Sequence, residues 1–586
     1  MCYIAVLPPT PNIQDALPLE RSSVVVATSE EPSFWHSRTR YFVVSVVVAI
    51  GFLSAWIGRY SMNPDGMCYL DMGDAFFHHK WFDFLNGYWS PLYSWLVGLA
   101  LFVIKPSRTW EFPVVQAVNF FIYAAALASF EFFLRSLARV QGLYGDRFSA
   151  LSQRSLFVLG YALFLWTSLN LITIWGVSPD LLVAACIYLI TGLLLRMRSN
   201  GSVGLYIAFG AVLAVGYLSK AVMFPLGWFF LLIGLIWVPK RQRISFAAAA
   251  MVAFLALSAP WLIALSHAKG RFDFGDSGWL NYSALVSPGG RVLNWQGDPP
   301  ASGIPLHPTR QIHRKPAIFE FAAPVGGTYP PSFDPSYWNE GRRWTFNLRT
   351  QLTVVAEHSL FYAEIFLRDQ PGVLAATIAL LFVTGAASRS SMLRQWPLFA
   401  LCFVPMALYA LVHAETRFIA AQVTIFWMAL LSGVRLDNSE KQRLLAECMV
   451  WAASATVLLS VLDGTAREIR AGGFYSARDQ IVVANELERA GLRDGDDIAV
   501  LGDGNWSYWA RLARLKIVST IIGPDTEEFW AQSPEQKAAL YQLFLGTGAR
   551  AVVANHVPSS ERSGWRRIGN SEYYLRWLSL SNSGAH

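Results

Sequence analysis

Asp65, Asp180, Lys220 and Arg417 are the residues of this 586-residue chain whose types and settings suit chemistry. Asp65 lies in Asn63-Pro64-Asp65-Gly66-Met67-Cys68-Tyr69-Leu70-Asp71-Met72-Gly73-Asp74. Asn63 suits a helix N-cap and Pro64 the first helical position, which puts Asp65 in the first turn and Asp71 and Asp74 one turn apart, with Tyr69 between Asp65 and that pair. Asp180 follows Pro179 at the head of an apolar run, Lys220 sits between two such runs, and His413-Ala414-Glu415-Thr416-Arg417 joins two more. Taken singly, each is accounted for by a helix dipole or by a charged side chain snorkelling to the membrane edge, and Asp71 with Asp74 reads first as a solvated acidic pair. Taken together, they offer carboxylates that can remove a proton from a hydroxyl and cations that can hold a phosphate.

The elements that must position them are membrane helices. Hydrophobic residues make up 54% and charged residues 15%, and the mean hydropathy is +0.35; ordinary soluble proteins carry ~25% charge, so a soluble chain is excluded. The net charge of +7 contains no polybasic block, so it sets topology and gives no reason to expect a nucleic-acid partner. Cys2, Cys68, Cys186, Cys402 and Cys448 are scattered singly and form no disulfide framework. Residues 1–40 read as a loose cytoplasmic tail without a cleavable signal. Twelve apolar runs follow between residues 41 and 463, most of them near the ~20 residues a crossing helix needs.

Charge fixes their sides. The flanks Arg135 to Arg154, Arg196 and Arg198, Lys240 to Arg243, Arg389 and Arg394, and Arg435 to Arg443 share the inner face only if one early run does not cross. The run Ser90 to Ile104 is the shortest and opens Trp-Ser-Pro, so it is expected to lie on the outer surface. The expected fold is therefore mainly α: a polytopic membrane protein of about eleven transmembrane helices, with a C-terminal extracytoplasmic α/β domain. Its parts are a tail (1–40), a transmembrane module (41–266) with a first external loop (59–110), a large external loop (267–370), further transmembrane helices (371–463) and the α/β domain (464–586). Asp65, Asp180, Lys220 and the His413 to Arg417 turn all then fall on the outer face.

On that face, carboxylates and cations together meet the needs of sugar transfer from a lipid phosphate. The phosphate leaves as a stable anion, so one carboxylate base suffices. Nucleotide sugars stay in the cytoplasm, so the donor expected is a sugar on a flipped polyprenyl phosphate. Asp65, together with Trp89-Ser90-Pro91-Leu92-Tyr93-Ser94-Trp95-Leu96, Ser178-Pro179-Asp180-Leu181-Leu182, Gly216-Tyr217-Leu218-Ser219-Lys220 and Glu415-Thr416-Arg417-Phe418, resembles the membrane glycosyltransferases of the GT-C class. Within it, the chain is most similar to protein O-mannosyltransferases and the aminoarabinose transferases of lipid A, over roughly residues 41–434. The resemblance implies a GT-C fold in the bacterial inner membrane, with Asp65 as the base of an inverting displacement and Asp180 as a supporting carboxylate. It makes Lys220 and Arg417 candidates for the donor phosphate, with Glu415, His413 and Tyr69 lining the substrate site. Close relatives often carry Asp-Glu where this chain has Asp65-Gly66, so a second acid must come from Asp71 or Asp74 or be absent. No cofactor and no tight metal site are implied, which leaves room for a weak divalent cation, and no His and Cys spacing suggests zinc.

The loop 267–370 is too long for a bare connector. Its Trp279, Tyr282, Trp295, Tyr329, Tyr337, Trp338 and Trp344 either stack on sugars or form an interfacial belt. Arg342 and Arg343 are further candidate phosphate ligands. In the C-terminal domain, Asp497 to Leu501, Arg550 to Ala554 and Tyr573 to Leu578 predict strands, Ser476 to Ala490 predicts a helix, and Ser533-Pro534-Glu535-Gln536 predicts a capping box. Gly502-Asp503-Gly504 lacks the third glycine of a dinucleotide fingerprint. Facing the same side as the site, this domain is expected to help select a lipid, glycan or protein acceptor. The alternatives are a transporter or lipid-linked glycan flippase, or a glycan ligase. A transporter ordinarily keeps ionisable residues near the bilayer midplane, whereas here they cluster at the ends of the runs.

Overall fold

A computed structural model describes residues 38–143, 151–199, 201–287, 310–339, 344–436, 439–470, 477–523 and 525–579. The chain divides into two compact units, of which the first, Met1–Ser45, contributes only the start of the Arg38–Ile57 helix to the described residues.

The protein is an integral membrane protein. Six described helices are long and apolar enough to cross a membrane: Arg38–Ile57, Arg108–Val140, Gln153–Ile172, Asp180–Arg198, Lys240–Lys269 and Glu440–Arg467. Val203–Ser219, Met223–Trp237, Trp396–Ala410 and Thr416–Ser432 also fall on expected crossings but are shorter. The expected surface-lying run forms the 14-residue helix Pro91–Ile104. One departure lies at the end of the large loop, where Leu348–Leu367 is a 20-residue helix that meets Pro371–Gly385 at 78°. Its Glu357, His358 and Glu364 break up the apolar signal in the sequence. Pro371 then stands at the first position of the next helix, where its missing N–H costs nothing.

The helix carrying Asp65, Pro64–Phe77, is seated by close backbone contact. Gly73 packs on Gly98 of the Pro91–Ile104 helix so closely that a Cβ on Gly98 would come within 2.8 Å of the Gly73 Cα. A side chain at either position would push the two helices apart.

A seven-stranded mixed sheet forms the other layer, in the order β1-β2-β4-β3-β5-β7-β6. The strands are β1 (Arg310–Arg314), β2 (Ala317–Glu320), β3 (Asp497–Leu501), β4 (Lys516–Ile521), β5 (Ala551–Asn555), β6 (Arg566–Arg567) and β7 (Tyr573–Trp577). The expected strands are present, joined by β4. The C-terminal domain does not build its sheet alone: β2, from the large loop, pairs antiparallel with β4, so the hairpin β1–β2 supplies one edge. Ile318 is packed in the same core as Leu501, Val518, Phe529 and Phe544. The Ser533 capping box is formed, and Arg478–Ala490 ends at Gly491 with φ +115.

Candidate functional site

Three helices begin at one place. Asp65 lies in the first turn of Pro64–Phe77, Asp180 starts Asp180–Ser199, and Arg417 lies in the first turn of Thr416–Ser432. Lys220 caps the end of Val203–Ser219. Helix starts carry unsatisfied N–H groups and the positive end of the macrodipole, which favour an anion nearby.

The side chains form one network. Arg417 lies between the two aspartates, with Nη2 at 3.1 Å from Asp65 Oδ2 and Nε at 3.5 Å from Asp180 Oδ2. Its Nε also donates to Glu415 Oε2 at 2.6 Å, and His413 Nε2 is 2.9 Å from Glu415 Oε1. Lys220 Nζ donates to Asp180 Oδ1 at 2.7 Å and sits 3.5 Å from the centre of the Phe418 ring. The Asp180 side chain is 3% exposed, whereas that of Asp65 is 36% exposed. Asp180 is therefore the buried anchor of the two cations and Asp65 the more accessible carboxylate. Burial would raise the carboxyl of Glu415, yet its bonds to His413 and Arg417 bring it down to about 2. Burial lowers the ammonium of Lys220 below the usual lysine value, against the opposing pull of Asp180.

These groups line a cavity of about 730 Å³. Tyr69 and Trp338 also face it, and Tyr69 is held edge-on by Trp89 and Tyr93 at 5.0 and 5.1 Å. The expected cap at Asn63 does not form. Instead its amide accepts from Val177 N–H at 2.9 Å and donates to Val177 O at 3.4 Å, fastening the Asp65 helix to the segment that leads into Asp180.

Asp71 and Asp74 do not reach the cavity. Arg511 of the C-terminal domain takes both, with Nη1 at 2.5 Å from Asp71 Oδ1 and Nη2 at 2.7 Å from Asp74 Oδ2, and its Nε binds Glu111 Oε1 at 2.9 Å. Arg514 adds bonds to Asp74 and Glu111. The second oxygen of Asp71 accepts from Thr328 N–H at 2.7 Å. Burial raises the Asp71 carboxyl in spite of Arg511. Asp71 and Asp74 were the expected sources of a second acid for the site, and neither supplies one: Asp71 is buried and Asp74 partly buried in a charged dock for a distant domain, so the pair is not a solvated face either. Arg342 and Arg343 lie outside the described residues. Among the described residues, no three His, Cys, Asp or Glu side chains group as metal ligands.

Sequence reasoning did not single out Arg511, Glu111, Asn505 or Trp506, the last two of which line the cavity from the C-terminal domain. Arg511 carried one usable signal, a cation inside the aromatic and apolar stretch Tyr508-Trp509-Ala510-Arg511-Leu512.

Apolar helices surround the ion-pair cluster, and the domain of the mixed sheet supplies residues to the same cavity. The apo crystal structure of ArnT from Cupriavidus metallidurans matches with a TM-score of 0.52 and 12% identity, over 94% of this chain and 100% of that one. The chain has the GT-C fold. The same ArnT bound to undecaprenyl phosphate aligns with a TM-score of 0.39 and 14% identity, over 94% and 100% of the two chains. The Archaeoglobus fulgidus oligosaccharyltransferase tethered with an acceptor peptide aligns with a TM-score of 0.42 and 11% identity, over 89% of this chain and 70% of that one. No protein-family model and no curated protein matches the sequence. At such identities the likeness concerns the GT-C fold, and the chemistry rests on the site itself.

Proposed function

We propose that this GT-C chain transfers a sugar from a polyprenyl-phosphate donor to an acceptor hydroxyl at the outer face of a bacterial inner membrane. The observation that carries the reading is Arg417, held between Asp65 and Asp180 with Lys220 beside it, at the wall of one cavity. Two acids and two cations remote in sequence meet where an anionic leaving group and a nucleophilic hydroxyl would have to meet.

Asp65 takes the proton of the acceptor hydroxyl as its oxygen attacks the anomeric carbon from the face opposite the phosphate. The bond from that carbon to the phosphate oxygen breaks, and the polyprenyl phosphate leaves as an anion towards Lys220 and Arg417. Attack from the opposite face inverts the anomeric centre. Asp180 acts through the cations, keeping both in place before the donor arrives. Glu415, paired with His413, steers Arg417 from its other side. No cofactor has a part in these steps.

The test is transfer of labelled sugar from a panel of polyprenyl-phosphate donors in membranes, comparing wild type with Asp65→Asn. The variant should fold and bind donor but lose turnover by at least ~10²-fold, the usual contribution of a general base. Full turnover in Asp65→Asn would remove Asp65 from its role. Analysis of the product separates transfer of a single sugar from joining of a finished glycan.

A further inference from the structure

The Gly502-Asp503-Gly504 turn lacks the third glycine of a dinucleotide fingerprint, yet its conformation is closely specified. Gly502, at φ +132, donates its N–H to Ile521 O at 2.9 Å. The Asp503 carboxylate accepts from Asn505 N–H at 2.9 Å. A Cβ on Gly504 would come within 2.6 Å of the Tyr329 ring, so only glycine lets the turn lie flat there. The turn leaves the carboxyl end of β3, which lies between β4 and β5 and runs parallel to both. From β3 the chain passes first to β4 on one side and later to β5 on the other. Such a switch point is where open α/β sheets present side chains to ligands.

What it presents is Asn505 and Trp506, both on the wall of the Asp65 cavity. Asn505 Oδ1 accepts from the Ser332 hydroxyl. The Ser332 carbonyl in turn accepts from Trp89 Nε1 at 3.1 Å and Cys68 Sγ at 3.3 Å. Cys68 stands one helical turn after Asp65, so Asn505 is linked through one residue to the helix of the proposed base. Lys220 and Arg417 belong to other helices. Trp506 remains 43% exposed although it borders a cavity.

We propose that Asn505 and Trp506 recognise the acceptor, and that the acceptor brought to Asp65 is a saccharide ring. The proposal rests on the glycosyltransferase reading. An indole offers a flat apolar surface to the C–H face of a pyranose, and a neighbouring carboxamide can both donate to and accept from ring hydroxyls. A serine or threonine side chain on a peptide has no such face. Arg511, in the helix that follows the turn, grips Asp71 on the Asp65 helix, so the recognising pair and the base are held on one support.

The test uses full-length protein in liposomes and an octyl β-glucopyranoside carrying a diazirine on its sugar, with crosslinked peptides identified by mass spectrometry. The sugar probe should label residues 504–508, and methyl β-glucopyranoside should compete with it. Labelling should fall about tenfold in Trp506→Ala, equivalent to ~1.4 kcal/mol of lost stacking and burial, and should largely return in Trp506→Phe. It should survive in Asp65→Asn, and a threonine hexapeptide with the same photoreactive group should not label the turn. Equal labelling by the peptide, or labelling that Trp506→Ala leaves unchanged while its melting temperature matches wild type, overturns the proposal. If the sugar probe behaves as expected while wild type turns over no polyprenyl-phosphate sugar, the saccharide site stands and the transferase reading fails.

Discussion

Lys220 Nζ and Asp180 Oδ1 lie 2.7 Å apart, joining the end of one helix to the start of another across 40 residues of sequence. The contact places an ammonium against a carboxylate that is almost wholly enclosed. The ammonium is therefore fixed in the cavity wall, the preorganisation that the proposed stabilisation of a phosphate leaving group requires.

Because burial lowers the Lys220 ammonium, it loses its proton at a lower pH than an ordinary lysine. Donor binding that depends on the cation should weaken as pH rises through that value, so the KM for donor should climb on the alkaline side before 10.5, the reference lysine value, is reached. In Lys220→Arg the charge persists and the alkaline rise should move beyond the measured range. A profile that is identical in the two proteins would separate Lys220 from donor binding.

Replacing Asp180 with Asn leaves Lys220 and Arg417 side by side without their shared anion. Losing one partner of a buried pair typically costs 3–5 kcal/mol; because Lys220 keeps some solvent, about 3 kcal/mol is expected here. Denaturation in detergent should record that loss. The KM for donor should rise with it, since the cations would no longer be held in place. A variant as stable as wild type would contradict the anchoring role.

Arg511→Met should weaken the docking of the C-terminal domain, because Asp74 and Glu111 would then share only Arg514 and Asp71 would keep only Thr328. The expected loss is about 3–5 kcal/mol, and adding Asp71→Asn should restore part of it, since the two residues are in contact and their effects are not additive. Protease cleavage between the domains, compared in the single and double variants, reads the same coupling. Strict additivity would mean that the contact carries no energy of its own.

Glu415 responds at the acid end of the pH range. Its carboxyl is depressed to about 2 from a reference of 4.5, so the stability it contributes is complete above 4.5 and disappears as pH falls towards 2. Wild type should lose melting temperature across that window more steeply than Glu415→Gln, which has nothing to protonate there. Parallel curves would show that the bonds to His413 and Arg417 do not stabilise the ionised form.

How much could be read beforehand differs between the site and its surroundings. Pro64-Asp65, Pro179-Asp180, Lys220 and Glu415-Thr416-Arg417 stood out because ionisable residues at the ends of apolar runs are few, and a membrane confines them to its edges. Asp71 and Asp74 were legible as acids but not as a dock, since their partner lies 440 residues along the chain for Asp71. Asn63 looked like a cap because that is its local preference, and a tertiary contact with Val177 replaced it.

The sequence by itself determined that the chain lives in a membrane, where most of its apolar helices run and which charged residues gather at their ends. These depend on composition and on short-range periodicity, which any stretch of chain carries within itself. The tertiary structure alone decided that β1–β2 completes a sheet with strands nearly 200 residues away, that Arg511 clamps the Asp65 helix, and that Asn505 and Trp506 face the same cavity as Asp65. The physical reason is that a buried charge or an open strand edge must find a partner, while nothing in its own neighbourhood specifies which distant segment will supply it.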